Sequence, residues 1–256
     1  MKRRSLLLFG LLLAFTLGQK AQPVNGQDSA PADPPHHVTV ALTLVEKLKD
    51  ASENLYGGGK RHIEWEGDPC AARTVCSSFM TLLLQHTYGW TSDDIRSWFG
   101  STNPEAFAYH DAIVKRKQFK RIVHVTAIRP GDILAMKYTD HHVSSNGIED
   151  TGHVMLVVGA PEEVRPSKPI VAGTRQYTVS VIDSSASGHG PDDTRHRPNG
   201  SFSGGIGKGV FRIYATDDGK IAGYTWSNTT RSPFYSSTER ELAAGRIVKE
   251  ATESPK

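Results

Sequence analysis

The patterning of this chain changes character at Pro130-Gly131, and that change limits the folds open to it. Before it, apolar residues recur at helical spacing. Val40, Leu44, Leu48 and Leu55 predict a helix over 38–56, stopped by Gly57-Gly58-Gly59. A compact apolar helix opens at Cys76 and runs through Phe79, Met80, Leu82, Leu83 and Leu84 to Tyr88-Gly89. Thr91-Ser92-Asp93-Asp94 caps a short helix through Ile95, Trp98 and Phe99, and Pro104 opens another reaching about Arg121. After residue 131, short apolar runs predict strands over 132–138, 153–158, 176–183, 210–214 and 221–226. Asp218-Gly219 supplies a hairpin turn between the last two. Residues 60–75 and the Gly-, Ser-, Asp- and Pro-rich stretch 184–209 read as loops, the second long and mobile. Helices first and strands second, with no internal repeat, predict an α+β fold: a helical layer packed on a central antiparallel sheet.

The ends lie outside that pattern. Lys2, Arg3 and Arg4 precede an apolar run from Ser5 to Gly18, followed by small and polar residues. This is a secretory signal pattern over 1–21, its apolar run too short for a comfortable span. Residues 22–37 read as a linker, 38–232 as the catalytic domain and 233–256 as a polar C-terminal tail. The expected location is therefore secreted or periplasmic, with no stable membrane insertion after signal cleavage. Loss of the signal removes Lys2, Arg3, Arg4 and Lys20 from 30 basic residues, which leaves near balance with 27 acidic ones. Nucleic acid is not expected as a partner. With 38% hydrophobic and 22% charged residues, the chain can bury a core.

Three residues carry the chemistry. Cys76 opens a helix, where the dipole and free N–H groups favour a thiolate. His153 begins a strand and Asp183 ends the next. If the two strands pair antiparallel, the start of one lies beside the end of the other. Asp183 can then hold one imidazole nitrogen and leave the other for Cys76. The competing reading of the cysteines is a Cys70–Cys76 disulfide in an exported, non-catalytic binding protein. Asp140-His141-His142, Asp150 and His153 meet no zinc-ligand spacing, so no metal is expected. Gly204-Gly205-Ile206-Gly207-Lys208-Gly209 lacks the Ser or Thr of a phosphate loop and precedes a strand; it reads as flexible backbone beside the cleft. Trp65, Trp90, Trp98 and Trp226 read as core residues, with room for one to line a groove.

Three segments in order resemble the successive motifs of the NlpC-like cell-wall cysteine peptidases: Val75-Cys76-Ser77-Ser78-Phe79, Arg129-Pro130-Gly131-Asp132-Ile133-Leu134, and Gly152-His153-Val154-Met155-Leu156-Val157-Val158-Gly159. The resemblance covers about residues 70–185. It implies a papain-like fold with Cys76 as nucleophile, His153 as general base and acid, Asp183 as the orienting residue and Asp132 in a structural role. It further implies hydrolysis of an amide bond in peptidoglycan stem peptides or a related amide substrate, through a thioester acyl-enzyme and without a cofactor. Asp183 stands where the family often has His, and Val75 where it often has Asp. A transglutaminase-like acyltransferase uses the same three residue types in the same order.

Overall fold

The apolar rows form helices where the sequence places them, with shifted ends. The computed structural model describes residues 33–49, 51–57, 59–139 and 150–248. The elements described all fall in one unit, Pro34–Lys256. Helix α1 is His36–Leu48 and buries Ala41, Leu44, Val45 and Leu48. It therefore ends earlier than expected, and 54–56 are strand. Helix α2 is Cys76–Tyr88; it stops at Gly89, which takes the left-handed conformation (φ 64°) and donates its N–H to Gln85 O. Helix α3, Ser92–Phe99, is capped reciprocally by Thr91 and Asp94. Helix α4 is Ala106–Val114, shorter than expected. Among the described residues no helix is long and apolar enough to cross a membrane.

Two sheets follow. Asn54–Tyr56 (β1), His62–Glu64 (β2) and Ala71–Thr74 (β3) make a small sheet in the order β1-β3-β2. The expected loop over 60–75 is thus partly strand. The large sheet contains Phe119–Ile122 (β4), Ile133–Tyr138 (β5), Val154–Val157 (β6), Glu162–Val164 (β7), Thr174–Ser185 (β8), Gly205–Thr216 (β9), Ile221–Thr225 (β10), Phe234–Ser236 (β11) and Arg240–Ile247 (β12). Its order is β11-β10-β9-β8-β6-β5-β12-β4, with β7 also on β8, and every pairing is antiparallel. The fold class is α+β with a large antiparallel sheet.

Strand alternation gives this sheet two apolar faces. Val154, Leu156 and Ile182 join the helices in one cluster, with Phe79, Leu83 and Tyr109. Met155, Val157, Val181 and Phe211 form the other with Tyr224 and Leu242. The second face needs no helical cover because the sheet curls until β10 and β11 approach β12.

Residues 233–256 are not a tail over their described part. β12 lies between β5 and β4, inside the sheet. Arg246 on it grips Asp132, Nε to Oδ1 at 2.8 Å and Nη2 to Oδ2 at 2.9 Å. Residues 205–209 likewise belong to β9, not to a flexible loop. The expected signal segment and residues 140–149, including Asp140, His141 and His142, lie outside the described residues.

Candidate active site

The small sheet delivers Cys76. β3 leads through Val75, whose backbone is extended (φ −109°, ψ 171°), straight into α2. Val75 has no side-chain acceptor, so Ser78 does the capping: its Oγ accepts from Val75 N–H at 2.9 Å. Two side-chain clamps fix the small sheet to the ends of β8 and β9. Thr74 Oγ1 donates to Ser184 Oγ at 2.8 Å. The Asn54 amide donates to Ile206 O and accepts from Ile206 N–H, both at 2.8 Å. The second clamp requires glycine at 205 (φ 106°), where a Cβ would stand 2.2 Å from Asn54 Oδ1.

His153 is placed by a glycine as well. Gly152 has φ 142°, and a Cβ there would lie 2.0 Å from Met136 O. His153 O then accepts from Met136 N–H at 2.7 Å, at the mouth of β6. Leu156 pairs with Ile182 and Val157 with Val181. Carried back along the strands, this register sets Asp183 diagonal to His153 on the same sheet face. The side chains meet: His153 Nε2 is 2.6 Å from Asp183 Oδ2. Nδ1 is the nitrogen not spent on Asp183, and Cys76 lies close enough to this ring to act on its ionisation. The structure therefore brings together the three residues named from the sequence. All three are buried, Asp183 completely.

The electrostatics follow from that closeness. Burial opposes a charged imidazole, but the electrostatic influence of Cys76 and the hydrogen bond to Asp183 outweigh it and push His153 up to about 10. For Asp183, burial favours the neutral form. Arg195 above all, then His189 and His153, hold its carboxyl well below the usual carboxylate range.

His189 and Arg195 were not singled out in the sequence. The stretch 186–203, read as a mobile loop, folds back over β9 and buries His189, Asp193 and Arg195. His189 Nε2 is 3.1 Å from Asp183 Oδ2, and its Nδ1 donates to Trp226 O at 2.6 Å. Arg195 Nη2 lies 2.8 Å from Asp183 Oδ1. That oxygen has no hydrogen-bond partner of proper geometry, so the contact is ionic and off-axis. Arg195 also forks onto Asp193, Nε to Oδ1 at 2.9 Å and Nη2 to Oδ2 at 2.8 Å. One signal was available: glycine alternates at 205, 207 and 209, and in the structure a Cβ at 207 would meet Arg195 Nε at 2.5 Å, one at 209 Asp193 Oδ2 at 2.4 Å. These glycines admit the returning segment; they do not loosen the backbone.

Trp226 is the tryptophan that lines the cleft. Its ring stands edge-on to His153 (centroids 4.7 Å apart) and stacks on His189 (4.3 Å). A cavity of about 260 Å³ opens beside His153, lined by Tyr56, Tyr138, Asp150, Trp226 and Arg240 among others. The Arg240 guanidinium lies 4.2 Å and 4.1 Å from the Tyr138 and Tyr235 ring centres. A cavity of about 290 Å³ beside α1, lined by Val40, Lys47 and Trp65, touches none of Cys76, His153 and Asp183. Cys70 and Cys76 are both free, so the disulfide weighed from the sequence is absent; the Cys70 thiol donates instead to Glu64 O at 3.2 Å. Among the described residues no group of His, Cys, Asp and Glu is arranged to hold a metal ion. A thiol at a helix start, an imidazole beside it and a buried carboxylate behind can together make a nucleophile and carry its proton.

No family model matches the chain, and no solved structure matches it. "Uncharacterized protein R653" of Acanthamoeba polyphaga mimivirus is 31% identical over 227 residues, covering 84% of this chain and 97% of that protein. The chain belongs to the same family as this mimivirus protein.

Proposed function

We propose that the chain is an exported, papain-like cysteine hydrolase that cleaves amide bonds in cell-wall peptides. One observation carries this reading: His153 meets Asp183 through Nε2 at 2.6 Å, which leaves Nδ1 unspent on the carboxylate, while Cys76, near enough to act on the ring, stands at the start of α2. The Cys76 thiolate attacks the substrate carbonyl carbon. The carbonyl oxygen takes the negative charge, and the Cys76 N–H at the open first turn of α2 donates to it. As the C–N bond breaks, His153 gives its proton to the departing amine and a thioester remains. Water then attacks the thioester while His153 takes its proton, and Cys76 leaves as thiolate. Asp183 orients the ring and balances its charge throughout. The substrate class comes from the resemblance to NlpC-like peptidases, and the secreted or periplasmic location from the signal pattern over residues 1–21. The aromatic cavity beside His153 offers room for the chain flanking the bond.

Purified peptidoglycan fragments, analysed by mass spectrometry after incubation with the protein, test this. Cys76→Ala abolishes product, and Asp183→Asn lowers turnover by about 10²-fold or more, normalised to the folded fraction. Full activity in Cys76→Ala rejects the reading. Amine-linked products formed when an amine is added would assign acyl transfer instead of hydrolysis.

A further inference from the structure

We infer that Arg195 and Asp193 are positioning residues that regulate the hold of Asp183 on His153: Arg195 draws on the carboxylate through Oδ1 while His153 uses Oδ2, and Asp193 limits that draw by sharing the same arginine nitrogen. The inference rests on the reading of His153 as the proton carrier of the site.

The geometry is specific. Arg195 Nη2 stands 2.8 Å from both Asp183 Oδ1 and Asp193 Oδ2. Its Nη1 donates to Gly205 O at 3.0 Å, which fixes the guanidinium on the strand opposite Asp183. Asp183 and Gly207 are register partners, and Arg195 lies over Gly207 where a side chain would otherwise be. Asp193 is held in turn, since its Oδ2 accepts from the His189 N–H at 2.8 Å and its Oδ1 from the Arg195 N–H at 2.8 Å. Three of these side chains, Asp183, Asp193 and Arg195, are almost wholly screened from water. In such surroundings a carboxylate 2.6 Å from an imidazole holds the imidazolium proton tightly and leaves a poor proton donor. A cation on the second oxygen relieves that grip. A second carboxylate on the cation restores part of it. His189, on Oδ2 as well, spends its other nitrogen on Trp226 O and faces away from Cys76 in role: it orients and carries no proton to substrate.

Besides Cys76, Asp183 and His189, which shares Asp183 Oδ2, the titratable or charged groups around the cavity that His153 enters are Tyr56, Tyr138, Asp150, Tyr224 and Arg240. They are the same in every variant below, so a difference between variants belongs to Arg195 or Asp193.

The test is the pH dependence of Cys76 carboxymethylation by iodoacetate in the full chain, with peptide mass spectrometry separating Cys76 from Cys70. An anionic reagent is drawn to the imidazolium beside the thiol, so the rate falls as His153 loses its proton. Arg195→Gln moves the falling limb to higher pH by about one unit. Asp193→Asn moves it to lower pH, and Arg195→Lys leaves it in place. A structural role alone lowers thermal stability and the rate at every pH without moving the limb in opposite directions. Limbs that coincide in Arg195→Gln, Asp193→Asn and the parent chain overturn the inference and leave the proposed function standing. If Arg195→Gln fails to fold, Asp193→Asn decides alone, and an unmoved limb overturns it. A parent chain whose Cys76 reacts as an ordinary thiol, with no falling limb, overturns both the inference and the reading it rests on.

Discussion

Two buried arginines stand along the β8–β9 ladder and are satisfied in opposite ways. Arg195 crosses the ladder near Asp183 and Gly207 and is surrounded by carboxylates, Asp183 and Asp193. Arg212 sits within β9 opposite Thr178 and bonds neutral oxygens: Ser167 Oγ at 2.7 Å, Gln176 Oε1 at 3.1 Å, and the carbonyls of Lys168, Ser227 and Thr229. Its Nε has no partner. A guanidinium among carbonyls fixes loop backbone and adds no titrating partner. A guanidinium between carboxylates tunes ionisation. The two regions meet through Trp226, because the segment that Arg212 holds, 227–229, follows directly on the ring that walls His153. Scaffold and chemistry therefore use the same residue type, and the acceptors decide which task it performs.

The comparison breaks most readily at Arg212. Arg212→Met strands several buried carbonyls and should cost about 3 kcal/mol or more in urea unfolding. It should leave the falling limb of Cys76 carboxymethylation where it is, because among the described residues this arginine bonds only neutral oxygens. A moved limb would show that the two regions are electrostatically one. Gly207→Ala comes next. The new methyl collides with Arg195 Cδ and Nε, and overpacking of this kind costs about 1–3 kcal/mol. Unlike Arg212→Met, it should disturb Cys76 reactivity as well as the unfolding midpoint, and equal reactivity in variant and parent would contradict the fit described for this strand. The smallest effect is the acid response. Asp183 ionises far more readily in the folded chain than a free carboxyl does, so its contribution is present above about pH 4 and is lost as pH falls toward its depressed value. Asp111, held at about 2 by Lys137, Lys115 and His110 against the effect of its burial, loses its contribution in the same direction. Thermal melts between pH 6 and 2.5 should therefore fall less steeply for Asp183→Asn than for the parent. Parallel curves would mean that Asp183 gains no charge stabilisation on folding.

Much of this was legible in the sequence where pattern and partner agree. Strands β5, β6 and β8 show apolar periodicity over lengths that a period can fill, and they are neighbours in the sheet. Asp183 could be found because strand alternation fixes its face. β12 was not legible. Its core reads Leu242-Ala243-Ala244-Gly245, small residues with little strand preference. They are there because α4 lies close: a Cβ on Gly245 would stand 2.5 Å from Ile113 Cγ1. β1 to β3 are three or four residues each, too short for any period, and depend on the Asn54 and Thr74 clamps, which join residues 152 and 110 positions apart. His189 and Arg195 escaped for the same reason. Their burial depends on glycines in another strand, a relation that composition alone presents as looseness.

The place of β12 bears on how the chain can be made. Among the described residues β4 pairs only with β12, and β5 has β6 on one side and β12 on the other. During synthesis, helices and eight strands of the large sheet emerge before Arg240 does. Until it arrives, β4 has no ladder and one edge of β5 stays open, an invitation to wrong partners. Arg240, which lines the cavity beside His153, is the first residue of β12. A ribosome-bound chain therefore carries Cys76, His153 and Asp183 well before the Arg240 wall of the cleft exists.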